Sequence, residues 1–152
     1  MKKPLKIGQV KAVQIDPNRM AMSAHGFLLG ARRCAEERST GAGTFEMLIM
    51  PQVSMAAFAI ELYIKAALAK LKLKAARTHD LFELYRLLPA DSQLALLIGS
   101  GYALDDFEQL MKSSADAFEE FRYTFEFDSI HIAPPFLFAV AESAKKHFES
   151  IG

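Results

Sequence analysis

Three small groups of polar residues interrupt an otherwise apolar chain. The first is Glu61 and Lys65, the only charged side chains between Val53 and Ala69. They stand four apart with the acid first, which places them on one face of a helix in the favoured order. The second is Thr78, His79 and Asp80, directly ahead of Leu81. The third is Arg122 and Tyr123, one turn after Phe118 and next to Phe121, where Arg122 can turn toward the core. Each type has its own chemistry. A histidine exchanges a proton near neutral pH. An arginine clamps an oxyanion through its planar fork, and a tyrosine hydroxyl can assist. Two charges held mid-way along an apolar helix need partners. In the purely structural reading of the same residues, Glu61 accepts from His79 or Arg122 and Lys65 pairs with Asp80, which locks helix register.

Other candidates are fewer. Lys70, Lys72, Lys74 and Arg77 follow the apolar segment and form the best local phosphate-binding patch; such a cluster is also an ordinary solvated helix end. His25, His131 and His147 are scattered, with no paired His or Cys spacing, so neither a metal site nor a cofactor is expected. Gly41-Ala42-Gly43 and Gly99-Ser100-Gly101 lack the strand and lysine of a phosphate loop. Cys34 is the one cysteine, so no internal disulfide forms; a reducing, cytoplasmic setting is expected, with Cys34 as a small core filler. The 18 Lys and Arg balance 18 Asp and Glu, so any nucleic-acid surface must be a local patch. No secretory signal is visible. Only Val53–Leu71 resembles a membrane span, and its two mid-segment charges would cost about 2.5–3.5 kcal/mol each on insertion, so it is expected to be a core helix with no membrane partner.

The elements that must position these residues follow from periodicity. The 152 residues suit one domain with a real core, with residues 1–16 as an extended arm and 17–152 as the folded body. Pro17 opens a helix to about Arg38, with Met20, Phe27, Ala31 and Cys34 or Ala35 inward. Ser39–Gly43 reads as a loop. Pro51 either starts the next helix or kinks a longer one that begins near Phe45, and the favoured reading is the long helix with an irregularity at Pro51. Its stripes are Ala57, Ile60, Ile64, Leu68 and Leu71, and Phe58, Leu62 and Ala66. Apolar faces on several sides mark it as the central helix. Thr78 is expected to cap a short helix over His79–Leu88, which puts His79 in a first turn where the dipole favours a neutral ring. Pro89 stops that helix, and another short one spans about Ser92–Ile98. Asp105 and Glu108 read as a capping box for a long helix to about Glu126, with Phe107, Met111, Ser114, Phe118, Phe121 and Phe125 inward. Pro134 and Pro135 open the last helix, with Leu137, Val140, Ala144, Phe148 and Ile151 as its stripe. The twelve phenylalanines are core at these spacings, not base-stacking platforms. The expected fold is all-α: an antiparallel up-and-down bundle of four long helices plus one or two short ones.

Read together, the helix Ala57–Leu68 with its Glu61 and Lys65, the basic loop, Thr78-His79-Asp80-Leu81 with Leu84–Pro89, and Phe121-Arg122-Tyr123 resemble a HEPN domain over roughly residues 45–150. The resemblance implies a four- to five-helix bundle, usually a homodimer. It implies either a metal-independent endoribonuclease of toxin–antitoxin or phage-defence systems, or a non-catalytic RNA- or protein-binding module. The family's catalytic signature is an arginine, four to six residues, then a histidine. Here eight residues separate Arg122 from His131. Arg19 and His25 do have five between them, but in the first helix, and so short a pattern arises by chance. Metal-free RNA cleavage needs a base for the 2′-hydroxyl, a cation for the phosphorane charge and an acid for the leaving oxygen. In this reading His79 is the base, Arg122 the clamp and Tyr123 its assistant, with Glu61, Lys65 and Asp80 in support. RNA or a nucleotide is the expected ligand. A cognate antitoxin or a nucleotidyltransferase-like protein is the expected partner. The alternative is a non-catalytic helical interaction module.

Overall fold

A computed structural model describes residues 15–75, 77–115 and 133–152. The expected arm lies outside these residues except for Ile15 and Asp16. Helix α1 spans Pro17–Cys34, with Pro17 in its first turn and Asp16 as N-cap, accepting from the Asn18 amide at 2.9 Å. It ends four residues earlier than expected. Its buried stripe is Ala21, Ala24, Leu28 and Ala31, turned from the expected face. These mostly small side chains bring α1 close to its neighbour, so close that a Cβ on Gly30 would sit 2.9 Å from Met55 Sδ. Phe27 stays at the edge, ring to edge with Phe58 at 4.6 Å. Cys34 is only half-buried, not the core filler expected.

A small antiparallel hairpin replaces the loop expected at Ser39–Gly43 and the helix expected from Phe45. Strand β1 (Arg38–Gly41) pairs with β2 (Thr44–Glu46), Arg38 opposite Glu46. Its turn needs left-handed backbone at Gly41, Ala42 and Gly43 (φ 87°, 50° and 77°). Two glycines supply that without a Cβ penalty.

Helix α2 spans Ile49–Lys70. Pro51 falls in its first turn, where a missing N–H removes no helical hydrogen bond, so it helps to start the helix and kinks nothing. Val53, Ala56, Ala57, Ala59, Ile60, Tyr63, Ile64, Ala66, Ala67 and Leu68 are all buried, whereas Phe58 and Leu62 are half-buried. The helix is long and apolar enough to cross a membrane, and 61% of that window is buried inside the fold.

Helix α3 is Leu81–Leu87. Asp80, not Thr78, is its N-cap: the Asp80 carboxylate accepts from the Glu83 amide at 2.9 Å, while Thr78 Oγ1 accepts from the Asp80 amide at 3.1 Å. Aspartate is the stronger acceptor for the first-turn amides. His79 therefore precedes the helix and does not sit in the first turn, where the dipole would favour a neutral ring. Leu88 is extended ahead of Pro89, and α4 runs over Ala90–Ser100 to a left-handed Gly101. Helix α5 is Leu104–Ser113, with Ala103 at the cap position. Asp105 already lies in its first turn, so the expected capping box does not form. The helix stops at Ser113, and Ser114 and Ala115 form a turn whose Ala115 carbonyl accepts from the Leu81 amide at 2.8 Å. There is no unbroken helix from Asp105 to Glu126, and the part of it beyond Ala115 falls outside the described residues. Helix α6, Pro134–Ser150, opens on its two prolines as expected and buries Phe136, Leu137, Val140, Ala141, Ala144 and Phe148.

The fold is thus mostly helical, with one small two-stranded sheet. Three helices of 18, 22 and 17 residues (α1, α2 and α6) dominate the described residues, and the other three are shorter. Helices α1, α3 and α6 all pack on α2, α4 packs on α6, and α5 packs on α3.

Candidate functional site

Glu61 is the one charged residue fully inside the described core, at 1% exposure. Burial of a carboxylate this deep requires donors. Two arrive, and both reach the same oxygen. Lys65 Nζ, one turn along α2, lies 2.7 Å from Glu61 Oε1, and His79 Nδ1, from the loop before α3, lies 2.9 Å from it. Glu61 Oε2 is buried and has no hydrogen-bond partner among the described residues. The three side chains form a gradient of access: Glu61 sealed, Lys65 at 19% exposure and His79 at 50%. The imidazole is therefore anchored through Nδ1 while half of the side chain is exposed.

Each element has a local reason to hold its piece. Glu61 sits mid-way along a rigid, buried helix. His79 is fixed by the turn that Thr78 and Asp80 build and by the α3 cap that follows it. Asp80 spends its carboxylate on that cap, and no ion pair joins it to Lys65 among the described residues. The structure thus joins Glu61 with Lys65 and with His79, while the expected Lys65–Asp80 pair does not form. Arg122 and Tyr123 lie outside the described residues.

The expected phosphate patch divides. Lys70 Nζ donates to the Phe148 carbonyl at 3.1 Å and stacks over the Phe148 ring at 4.5 Å, tying α2 to the end of α6. Lys72, Lys74 and Arg77 are exposed in the loop beyond α2. Among the described residues no three His, Cys, Asp or Glu side chains gather as a metal would need.

A second concavity has no counterpart in the sequence reading. A trench of about 460 Å³ runs between α1 and α6, lined by Met22, His25, Lys145, Phe148 and Glu149 and floored by Tyr63. Burial, with the Glu149 and Glu142 carboxylates nearby, pushes the Tyr63 phenol up to about 12. Its lining comes from three helices, so no local spacing announces it. Tyr63 is two residues from Glu61, which at 100° per residue puts the trench on the far side of α2 from His79.

Searches among curated proteins and among solved structures found no match. A family model, described as HEPN domain, matches residues 51–149, from the first turn of α2 to the end of α6. That span covers most of the chain, includes Glu61, Lys65 and His79, and agrees with the helical architecture; the chain belongs to the HEPN domain family.

Proposed function

We propose that this chain is an RNA- or nucleotide-binding protein of the prokaryotic defence or toxin–antitoxin type, and that it acts as a metal-independent endoribonuclease. Family membership supports the coarser part, a nucleotide- or RNA-related role. The observation that supports the finer part is the half-exposed imidazole of His79 held at 2.9 Å by a carboxylate sealed in the core. An anchored, accessible imidazole is what general-base removal of a 2′-hydroxyl proton requires. In that step the O2′–P bond forms as the P–O5′ bond breaks. The 2′ proton goes to His79, the leaving 5′-oxygen takes a proton from water, and Tyr123 assists at the phosphate. Arg122 meets the phosphorane charge, and Lys72, Lys74 and Arg77 hold flanking phosphates. The protein works as a cytoplasmic homodimer, restrained by a cognate antitoxin or nucleotidyltransferase-like partner.

The test is cleavage of single-stranded RNA by the purified chain, with growth arrest on expression. His79→Ala is expected to lower cleavage by on the order of 10²-fold or more while the fold persists. If the intact protein neither cuts RNA nor arrests growth, and alanine at His79 changes only the melt, the nuclease reading fails. A second reading is favoured by the eight residues between Arg122 and His131, which depart from the nuclease signature. In it the same cluster is an internal strut of a non-catalytic interaction module. Under it, His79→Ala lowers the melting temperature and nothing else.

A further inference from the structure

We infer that Glu61 is a positioning residue that fixes His79 in the tautomer carrying its proton on Nδ1, leaving Nε2 as the nitrogen that works. The inference rests on the reading of His79 as a general base. A carboxylate has acceptors only, so a 2.9 Å contact between His79 Nδ1 and Glu61 Oε1 requires the hydrogen to be on Nδ1. In the neutral ring the lone pair then belongs to Nε2.

Glu61 is suited to dictate this choice. It is sealed in the interior of the longest helix, so water does not compete for Oε1. Lys65 holds the same oxygen from the other side at 2.7 Å. Lysine is a donor only, so whatever side chain occupies position 61 must present an acceptor at this point. That constraint makes one conservative replacement informative. Glutamine at 61 can accept from both Lys65 and His79 through its amide oxygen and so keep the tautomer. Leucine at 61 offers neither. The role matches the orienting carboxylate behind a catalytic histidine, which fixes ring and tautomer without touching substrate.

The experiment is long-range proton–nitrogen correlation NMR on the full chain with nitrogen-labelled histidine, recorded across the pH range in which the protein is folded. Loss of the signal in His79→Ala assigns it. The expected spectrum of the neutral ring shows a protonated Nδ1 and a bare, pyridine-like Nε2. Glu61→Gln is expected to keep that pattern and to lose less of the cleavage rate than Glu61→Leu, its loss coming from the missing negative charge that steadies the imidazolium. Glu61→Leu is expected to move the ring toward the Nε2–H form and to lower kcat by on the order of tenfold with KM little changed, the signature of a group that matters in the transition state. A neutral ring with Nε2–H in the unaltered protein, or a doubly protonated ring throughout, overturns the inference. If Glu61→Leu does not fold, the unaltered and Glu61→Gln spectra decide it. The two readings fail separately. The expected tautomer without RNA cleavage sinks the nuclease and leaves only the hold of Glu61 on the tautomer standing. Cleavage with the reversed tautomer sinks the positioning role alone.

Discussion

At the scale of the residue, Glu61, Lys65 and His79 show what a sequence can disclose. A lone Glu–Lys pair in an apolar helix announces buried charge, and buried charge announces partners. What the sequence hid was how the partners were shared. Asp80 looked like a partner for Lys65, but the Glu83 amide in the first turn of α3 takes its carboxylate instead. Lys65 was left to answer Glu61 directly. This pair differs from the usual exposed helix pair, which contributes a few tenths of a kcal/mol. Lys65→Met removes one of two donors from a sealed carboxylate. It should cost about 2 kcal/mol, discounted from the 3–5 kcal/mol of a fully buried pair because Lys65 keeps some contact with water and His79 remains. Urea unfolding measures it. A loss no larger than about 0.5 kcal/mol would put this pair among surface ion pairs and remove the argument for a tightly held Oε1.

At the scale of the element, most helices were legible and most of their ends were not. Pro134 and Pro135 marked the start of α6 because proline suits a first turn. Thr78 and Asp105 misled, since a residue able to cap does so only where a helix begins one residue later. Spacing could not settle that against Asp80 or Ala103. The hairpin escaped because its strands are short and wholly exposed, so they carry no alternating pattern. The α4–α6 contact was also unreadable, and it depends on a glycine. Ser143 Oγ donates to the Leu96 carbonyl at 2.8 Å, and a Cβ at Gly99 would collide with Ser143 Oγ and come within 3.1 Å of Ser143 Cβ. Gly99→Ala should therefore destabilise by about 1–3 kcal/mol, the range for overpacking. Adding Ser143→Ala should recover only part of this, because the Cβ contact stays. Thermal melts of the two single variants and the pair test this. Full additivity would show that Gly99 and Ser143 do not share one crowded contact.

At the scale of the whole molecule, the central position of α2 was the most legible fact, because an all-round apolar helix has nowhere else to go. The fourth long helix was not legible as drawn. The sequence keeps helical spacing past Ser114, but the backbone turns at Ser114 and Ala115, where the Ala115 carbonyl meets the Leu81 amide. Global stability should also sense pH through α6. His147 is buried, with its Nε2 unpartnered among the described residues, and burial lowers its pKa from the usual 6.5 while Asp91 partly opposes this. The sign follows from proton counting. Above pH 6.5 neither state holds the extra proton. Below it the unfolded chain takes one up and the folded chain resists until its own lower pKa is reached. Stability should thus fall on acidification from the usual histidine range, with a slope of at most about 1.4 kcal/mol per pH unit from this residue. His147→Gln should flatten that part of the curve in denaturant titrations between pH 7.5 and 5, on the order of one to two units either side of the histidine range. An unchanged slope would mean the ring finds a proton acceptor in the folded state.

The seating of α2 between a helix that precedes it and one that follows it by more than sixty residues has a cost during synthesis. As the chain leaves the ribosome, α1 is already available to cover one flank of Ile49–Lys70, but the flank that α6 covers stays bare until α6 itself has emerged. For that interval a nascent copy displays an oily segment long enough to suit a bilayer, the kind of surface that chaperones bind and that drives misassembly. A premature stop anywhere in α6 would make this exposure permanent, so truncated copies should be cleared as faulty products and not persist as partly active ones.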